Sequence, residues 1–224
     1  MCVPCELCGV NKEKISLTID GKMIRAEEGA RLLWVALDNG IYIPNLCILR
    51  SMEMAPAACR LCLVEIDGKS EPVTACTEEV FEGMTVRTAT PGVLRLRRRA
   101  IELLVASHPT NCPSCGKNRR CQLQSLAKSL KLKLKPDRLR PLVQELPIDR
   151  SHPALLFDSN KCLLCGRCVW VCKERSGLGI LQFTHRGFET RVSTFMDKPL
   201  AGTGCTGCLE CARVCPVGAL LPKQ

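Results

Sequence analysis

Two cysteine runs stand out in the chain: Cys162-x2-Cys165-x2-Cys168-x3-Cys172 and Cys205-x2-Cys208-x2-Cys211-x3-Cys215-Pro216. Thiolates at this spacing hold [4Fe–4S] clusters in the bacterial two-cluster pattern, where the last cysteine of one run ligates the other cluster. The runs therefore predict two crossed sets. Cys162, Cys165, Cys168 and Cys215 form one, and Cys205, Cys208, Cys211 and Cys172 the other. Gly166 and Gly207 permit tight turns with N–H groups aimed at sulfur. The chemistry of such sets is one-electron storage, which needs no nucleophile and no acid–base pair.

Two further sets lie upstream. Cys47, Cys59, Cys62 and Cys76 supply four thiolates for a [2Fe–2S] core, with Cys59 and Cys62 as adjacent ligands. Cys47 comes from the preceding loop and Cys76 from beyond a hairpin. The plant-type pattern has four residues where this chain has eleven, so spacing alone is also compatible with zinc. His108-x3-Cys112-x2-Cys115-x5-Cys121 offers an imidazole and three thiolates. As a [4Fe–4S] site it carries one negative charge fewer, which should raise its reduction potential. A Cys3His zinc site is the alternative.

Fifteen of the 18 cysteines and one of the three histidines are thereby assigned. Cys2, Cys5 and Cys8 are left over, and their triplet is open to two readings. It is three-quarters of a further [4Fe–4S] or zinc site, completed by His152, His185 or a partner chain, or it is a mobile arm with inert thiols.

Composition narrows the classes. Secreted disulfide scaffolds share this cysteine density, but the N-terminal residues are polar and lack the apolar core of a signal peptide. A reducing, cytoplasmic setting with metal-bound cysteine is expected. No run of apolar residues is long enough to span a bilayer, so no direct membrane insertion is expected. The formal charge of +10 invites a nucleic-acid reading. Fifteen thiolates and four oxidised cores of about +2 each would bring the holoprotein to roughly +3. Balancing buried anions explains the cations better than nucleic-acid binding does. The strongest basic cluster, Arg95 with Arg97, Arg98 and Arg99, reads as a solvated helix face or docking surface. Gly202-Thr-Gly204-Cys-Thr-Gly207 matches a dinucleotide fingerprint formally, but no strand precedes it and its cysteine belongs to a cluster loop.

The elements that must position these ligands are legible by period. Ile15–Ile19 alternates, Asp20-Gly21 turns, and a second strand runs through Met23 and Ile24. Residues 31–39 predict a helix stopped by Gly40, with Trp34 in the core. Leu63–Ile66, Asp67-Gly68 and Val73–Ala75 predict a second hairpin. Together they suggest an α+β ferredoxin of the β-grasp sort. Thr90-Pro91 opens a helix with Val93, Leu96, Ala100, Leu103 and Leu104 on its apolar face and Arg95, Arg97, Arg98, Arg99 and Glu102 mainly off it. A further helix is predicted over 119–134, with Leu123, Leu126, Ala127 and Leu130 inward, ended by Pro136. Prolines between 136 and 153 mark a connector. The last module repeats internally, Cys162 to Cys205 being 43 residues apart. The expected organisation is a Cys-rich arm (1–13), a [2Fe–2S] ferredoxin-like domain (14–90), a small helical His/Cys3 [4Fe–4S] domain with linker (91–150), and a bacterial-type 2×[4Fe–4S] ferredoxin domain (151–224).

In this order, Ile43-Pro-Asn-Leu-Cys47, Cys59-Arg-Leu-Cys-Leu-Val-Glu65, His108-Pro-Thr-Asn-Cys-Pro-Ser-Cys115, Cys162-Leu-Leu-Cys-Gly-Arg-Cys168 and Cys205 through Ala219 resemble the N-terminal iron–sulfur part of the complex I large subunit, the NuoG type. The same part occurs in HoxU-type diaphorase subunits, in electron-bifurcating hydrogenases and in NAD-linked formate dehydrogenases. The resemblance covers residues 15–220. Two features depart from it: the basic loop Gly116-Lys-Asn-Arg-Arg120, expected to favour a reduced cluster, and the Cys2/Cys5/Cys8 arm. The resemblance implies one [2Fe–2S] and three [4Fe–4S] clusters. It also implies a flavin subunit (NuoF type) that oxidises NAD(P)H, a small [2Fe–2S] subunit (NuoE type), and a terminal hydrogenase, formate dehydrogenase or ferredoxin. The chain is then an electron relay in a soluble complex that bifurcates electrons or does not. Neither a hydrogenase-cluster nor a molybdopterin domain is present, so the terminal chemistry is expected on another subunit. The contrasting expectation is a zinc-rich module that binds nucleic acid or protein.

Overall fold

The computed structural model describes residues 13–134 and 139–223. Cys2, Cys5, Cys8 and Pro136 lie outside them. The chain forms two compact units, Met1–Ile43 with Cys62–Leu94, and Pro44–Leu61 with Arg95–Gln224.

The first unit is built on a hairpin. β1 (Lys14–Ile19) pairs antiparallel with β2 (Lys22–Glu27), from Lys14↔Glu27 to Ile19↔Lys22. Asp20 and Gly21 take positive φ of 49° and 81°, as a two-residue turn matched to strand twist requires. Ile15, Leu17 and Ile19 are buried on one face of β1. α1 (Leu32–Asp38) follows. Its buried residues are Leu32, Leu33, Val35 and Ala36, while Trp34, expected in the core, is only partly buried. At 100° per residue Trp34 projects opposite the middle of that stripe. β3 (Leu63–Ile66) and β4 (Val73–Thr74) form the second hairpin.

A strand that the sequence reading overlooked completes the sheet. β5 (Thr85–Arg87) runs parallel to β1 and antiparallel to β3, giving the order β2-β1-β5-β3-β4. Its signal is the alternation of Met84, Val86 and Thr88, all buried. The central place of β5 is held by Asp20, whose carboxylate accepts from the backbone N–H of Thr88 at 2.7 Å and its hydroxyl at 2.5 Å.

α2 (Pro91–Ala106) opens as expected, with Thr90 Oγ1 accepting from the Val93 N–H at 3.2 Å. Its faces differ from expectation. The buried stripe is Val93, Arg97, Ile101 and Val105, whereas Leu96 and Leu103 are exposed. Residues four apart share a helix face, and an arginine can lay its aliphatic stem along that face.

In the second unit, α3 (Gln122–Ser129) buries Leu123, Leu126 and Ala127. It is shorter than predicted, because Lys131 adopts φ 53° and breaks the helical path soon after Ser129. β6 (Leu155–Phe157) pairs with β9 (Leu220–Pro222), from Leu155↔Pro222 to Phe157↔Leu220. This clasp joins the two ends of the repeat module. Between them lie α4 (Arg167–Glu174), the hairpin β7 (Gln182–Thr184) and β8 (Arg191–Ser193), and α5 (Glu210–Val214). Their inner faces merge into one core with α3, Ile101 and Val105.

Asp20→Ala removes two bonds that anchor β5. The expected loss is about 1–3 kcal/mol, measured by urea unfolding of the full chain. Asp67→Ala breaks only the surface pair with Arg87 (2.6 Å) and should lose less than about 1 kcal/mol.

Candidate metal centres

The clasp of β6 on β9 sets the geometry of the cysteine runs. Each run leaves a loop and enters a short helix, α4 or α5. The loops contain two left-handed residues apiece at matching positions of the repeat: Leu164 (φ 52°) and Gly166 (φ 76°) in the first, Gly207 (φ 73°) and Leu209 (φ 61°) in the second. One glycine and one leucine swap places between the halves. The turn is thus a demand of the loop and not of a particular residue. Where it operates, backbone N–H groups turn toward sulfur, and the Leu164 N–H lies 3.4 Å from Cys162 Sγ.

Two small cavities result. One is bounded by Cys162, Cys165, Cys168 and Cys215, with Phe157, Val192, Pro216 and Leu220 among its apolar walls. The other is bounded by Cys172, Cys205, Cys208 and Cys211, with walls that include Leu155, Leu181 and Leu200. Each cavity draws three cysteines from one run and one from the other. Four thiols around a small, mostly apolar space fit a compact anionic cluster in donor type and number. Among the described residues, no group of three or more His, Cys, Asp or Glu side chains is arranged to hold a single metal ion.

Burial dominates the thiol electrostatics. It pushes Cys162 up to about 12, Cys165 to about 11 and Cys211 to about 12, and Cys168 well above the usual thiol range. Ligand binding must displace these protons, so metal capture and deprotonation are linked. Cys208 is the exposed member of its set.

His108 lies two residues beyond α2, its N–H bonded to the Val105 carbonyl at 3.1 Å, and Cys112, Cys115 and Cys121 follow. The imidazole is buried, and Nδ1 lies 3.1 Å from the carbonyl oxygen of Lys161. Burial holds the ring below its usual pKa; a carbonyl oxygen only accepts, so Nδ1–H is the donor and Nε2 is the other ring nitrogen. A ligating histidine uses the same arrangement, with the nitrogen away from the metal donating to a backbone carbonyl. Burial likewise raises Cys121. Cys115 Sγ sits against the chain just beyond Cys215: a Cβ placed on Gly218 would lie 2.5 Å from it. The gap beside Gly218 therefore belongs to Cys115, a role the sequence reading missed.

Cys47 and Cys59 belong to the second unit and interact directly. The Cys59 thiol hydrogen-bonds to Cys47, and this bond, backbone N–H groups of Cys59 and Ala58, and the charge of Arg167 bring Cys47 down to about 6 against the opposing effect of burial. The same bond, with burial, pushes the Cys59 thiol up. Cys62 and Cys76 belong to the first unit and are both fully buried, flanking β3 and β4. The Ala75 N–H donates to the Cys62 carbonyl at 2.9 Å.

Of the histidines considered as completing ligands for the N-terminal triplet, His152 Nδ1 accepts from the Ala154 N–H at 3.1 Å and its ring packs on Gly207. His185 pairs with Asp197 at 2.7 Å. The triplet itself lies outside the described residues. Arg167, missed as a site residue, is buried beside Cys165 and Cys168; a lone cation inside a ligand loop was the available signal.

Comparison with known proteins gives three family matches in tandem. Residues 12–91 match a 2Fe-2S iron-sulfur cluster binding domain. Residues 97–134 match the NADH-ubiquinone oxidoreductase-G iron-sulfur binding region, and residues 152–221 the ferredoxin-like domain of NADH-quinone oxidoreductase subunit 3. The chain is 35% identical to the NADP-reducing hydrogenase subunit HndD of Solidesulfovibrio fructosivorans, covering 94% of this chain but 36% of that one. It thus spans about a third of that relative's length. It is 34% identical to the NAD-reducing hydrogenase HoxS subunit gamma of Cupriavidus necator, covering 94% of this chain and 88% of that one. Among solved structures, a chain of an NAD+-reducing [NiFe]-hydrogenase in the H2-reduced state superposes with a TM-score of 0.85 at 33% identity, over 93% of this chain and 87% of that chain.

Gly218→Ala should push Cys115 Sγ aside and lower iron content by one cluster's worth. Gly204→Ala, with nothing within 4 Å of the added carbon, should leave it unchanged. Iron and sulfide analysis of the two purified variants checks both.

Proposed function

Since the chain belongs to the iron–sulfur family of the HoxS gamma and NADH-quinone oxidoreductase G subunits, we propose that it relays single electrons between a flavin subunit that oxidises NAD(P)H and a second redox partner. The observation that carries this reading is the pair of cavities, each bounded by four cysteines drawn from both runs. The ligand sets are Cys47, Cys59, Cys62 and Cys76 for a [2Fe–2S] cluster, and His108, Cys112, Cys115 and Cys121 for a [4Fe–4S] cluster. Cys162, Cys165, Cys168 and Cys215, then Cys172, Cys205, Cys208 and Cys211, hold two more. Such clusters supply one-electron storage at potentials set by ligand type, net charge and burial.

The chain's own part is to hold, insulate and tune. The apolar walls keep water from the cages. The left-handed loop residues turn N–H groups toward sulfur. The Lys161 carbonyl orients His108 through Nδ1, leaving Nε2 for metal. No helix among the described residues is long and apolar enough to cross a membrane, and the cytoplasm is the proposed setting. Proposed partners are a NuoF-type flavoprotein and a NuoE-type [2Fe–2S] subunit, with a hydrogenase, formate dehydrogenase or ferredoxin at the far end. The names of the relatives support this family of assemblies and leave the far partner to be chosen among them.

Anaerobically purified protein should be brown and hold about fourteen irons with matching sulfide. Colourless protein rich in zinc overturns the reading. Cys168→Ser should delete one [4Fe–4S] signal from the electron paramagnetic resonance spectrum and loosen Cys215. His108→Cys should lower one cluster's potential without emptying its site; an unchanged redox titration removes the histidine from the ligand list.

A further inference from the structure

Arg167 is the first residue of α4, between Cys165 and Cys168, and is only 5% exposed. Its guanidinium makes two hydrogen bonds, both to neutral acceptors. Nη1 donates to Gln122 Oε1 at 3.0 Å, and Nη2 donates to the Ile48 carbonyl at 3.1 Å. Nε is buried and has no partner. A buried cation held by neutral groups, with one donor unspent, is costly unless negative charge lies close by. The negative charge on hand is sulfur. Arg167 interacts electrostatically with Cys165 and Cys215 of one cage and with Cys47 and Cys59 of another set.

We propose that Arg167 is a positioning residue shared by two clusters, the [2Fe–2S] set that includes Cys47 and Cys59 and the [4Fe–4S] set of Cys162, Cys165, Cys168 and Cys215, and that its charge raises both reduction potentials together. A fixed cation favours the more negative, reduced form of any neighbouring cluster. The Ile48 carbonyl lies next to Cys47 in the chain, so the fork that fixes the guanidinium also ties α4 to that ligand's loop. Lysine would keep the charge but lose the two-pronged grip. The Nε–H is a buried donor with no acceptor among the protein's own atoms, and hydrogen bonding is among the controls on cluster potential. One residue thereby keeps two potentials in step, which a relay needs if neither cluster is to trap the electron.

The inference rests on the cluster assignments proposed above. Its test is a redox titration of the anaerobically purified full chain, followed by electron paramagnetic resonance. In Arg167→Gln, both clusters should become harder to reduce. The reduced-to-oxidised ratio at fixed potential should fall about tenfold at each, equivalent to ~59 mV for a one-electron step. The cluster of Cys172, Cys205, Cys208 and Cys211 should keep its potential. Arg167→Lys should show a smaller shift at both. If Arg167→Gln loses iron, Gln122→Glu serves instead: a carboxylate beside Nη1 offsets the charge while leaving the arginine in place, and again both potentials should fall. A fully loaded variant in which neither potential moves, or only one does, overturns the inference and leaves the cluster assignments standing. A parent chain without iron overturns those assignments themselves.

Discussion

Thiolate must exist where burial opposes it, and the fold of the second unit answers to that constraint. A cysteine binds iron as the anion, yet cavities lined by Leu, Val and Phe raise the thiols of Cys162, Cys165, Cys168 and Cys211. The apolar walls cannot be given up, because they exclude water and hold the site in one shape. The protein offsets the penalty with polar groups that need no room. These are backbone N–H groups turned inward by left-handed residues and a cation lodged in the ligand loop. Metal binding supplies the rest, since losing the thiol protons and gaining the metal are one linked event.

Crossing the ligands turns a repeat into a single body. Were each run to complete its own cage, the halves could separate with their sites intact. Instead Cys215 closes the cavity begun by Cys162, and Cys172 closes the one begun by Cys205. The β6–β9 ladder holds the two ends of the module together. The His108 set joins the same body by two small contacts: the imidazole bonded to the Lys161 carbonyl, one residue before Cys162, and Cys115 seated beside Gly218, three residues after Cys215. Neighbouring sites thus share backbone, and a change at one reaches the next without a long path.

The cations divide by burial into two kinds. Among the described residues, most lysines and arginines are exposed or partly exposed, where their charge acts on partners in solution, while Arg97 and Arg167 are buried. Arg167 is inside, where the effective dielectric is lower and a charge is felt more strongly by its neighbours. Net charge therefore says little about tuning; position decides it.

The grouping of the cysteines around the two cavities was legible in the sequence because cysteine spacing is local: a two-residue gap fixes how two sulfurs from one turn can face a common centre. The β1–β2 hairpin, α1 and the start of α2 were legible for the same reason, each resting on a turn residue or a period within a dozen positions. What the sequence could not show depends on contacts between distant segments. β5 is three residues long and central only because β1 and β3 flank it. Trp34 and Arg97 exchanged the expected roles of core and surface because a helix's buried stripe is chosen by what packs on it. Gly218 owes its size to a sulfur 103 residues upstream. Arg167 looks like one more surface arginine until the Ile48 carbonyl and Gln122 close around it. Spacing along the chain chose which cysteines gather; only the folded chain, by bringing charge and carbonyls from far segments to the same buried place, decided how those cysteines are held.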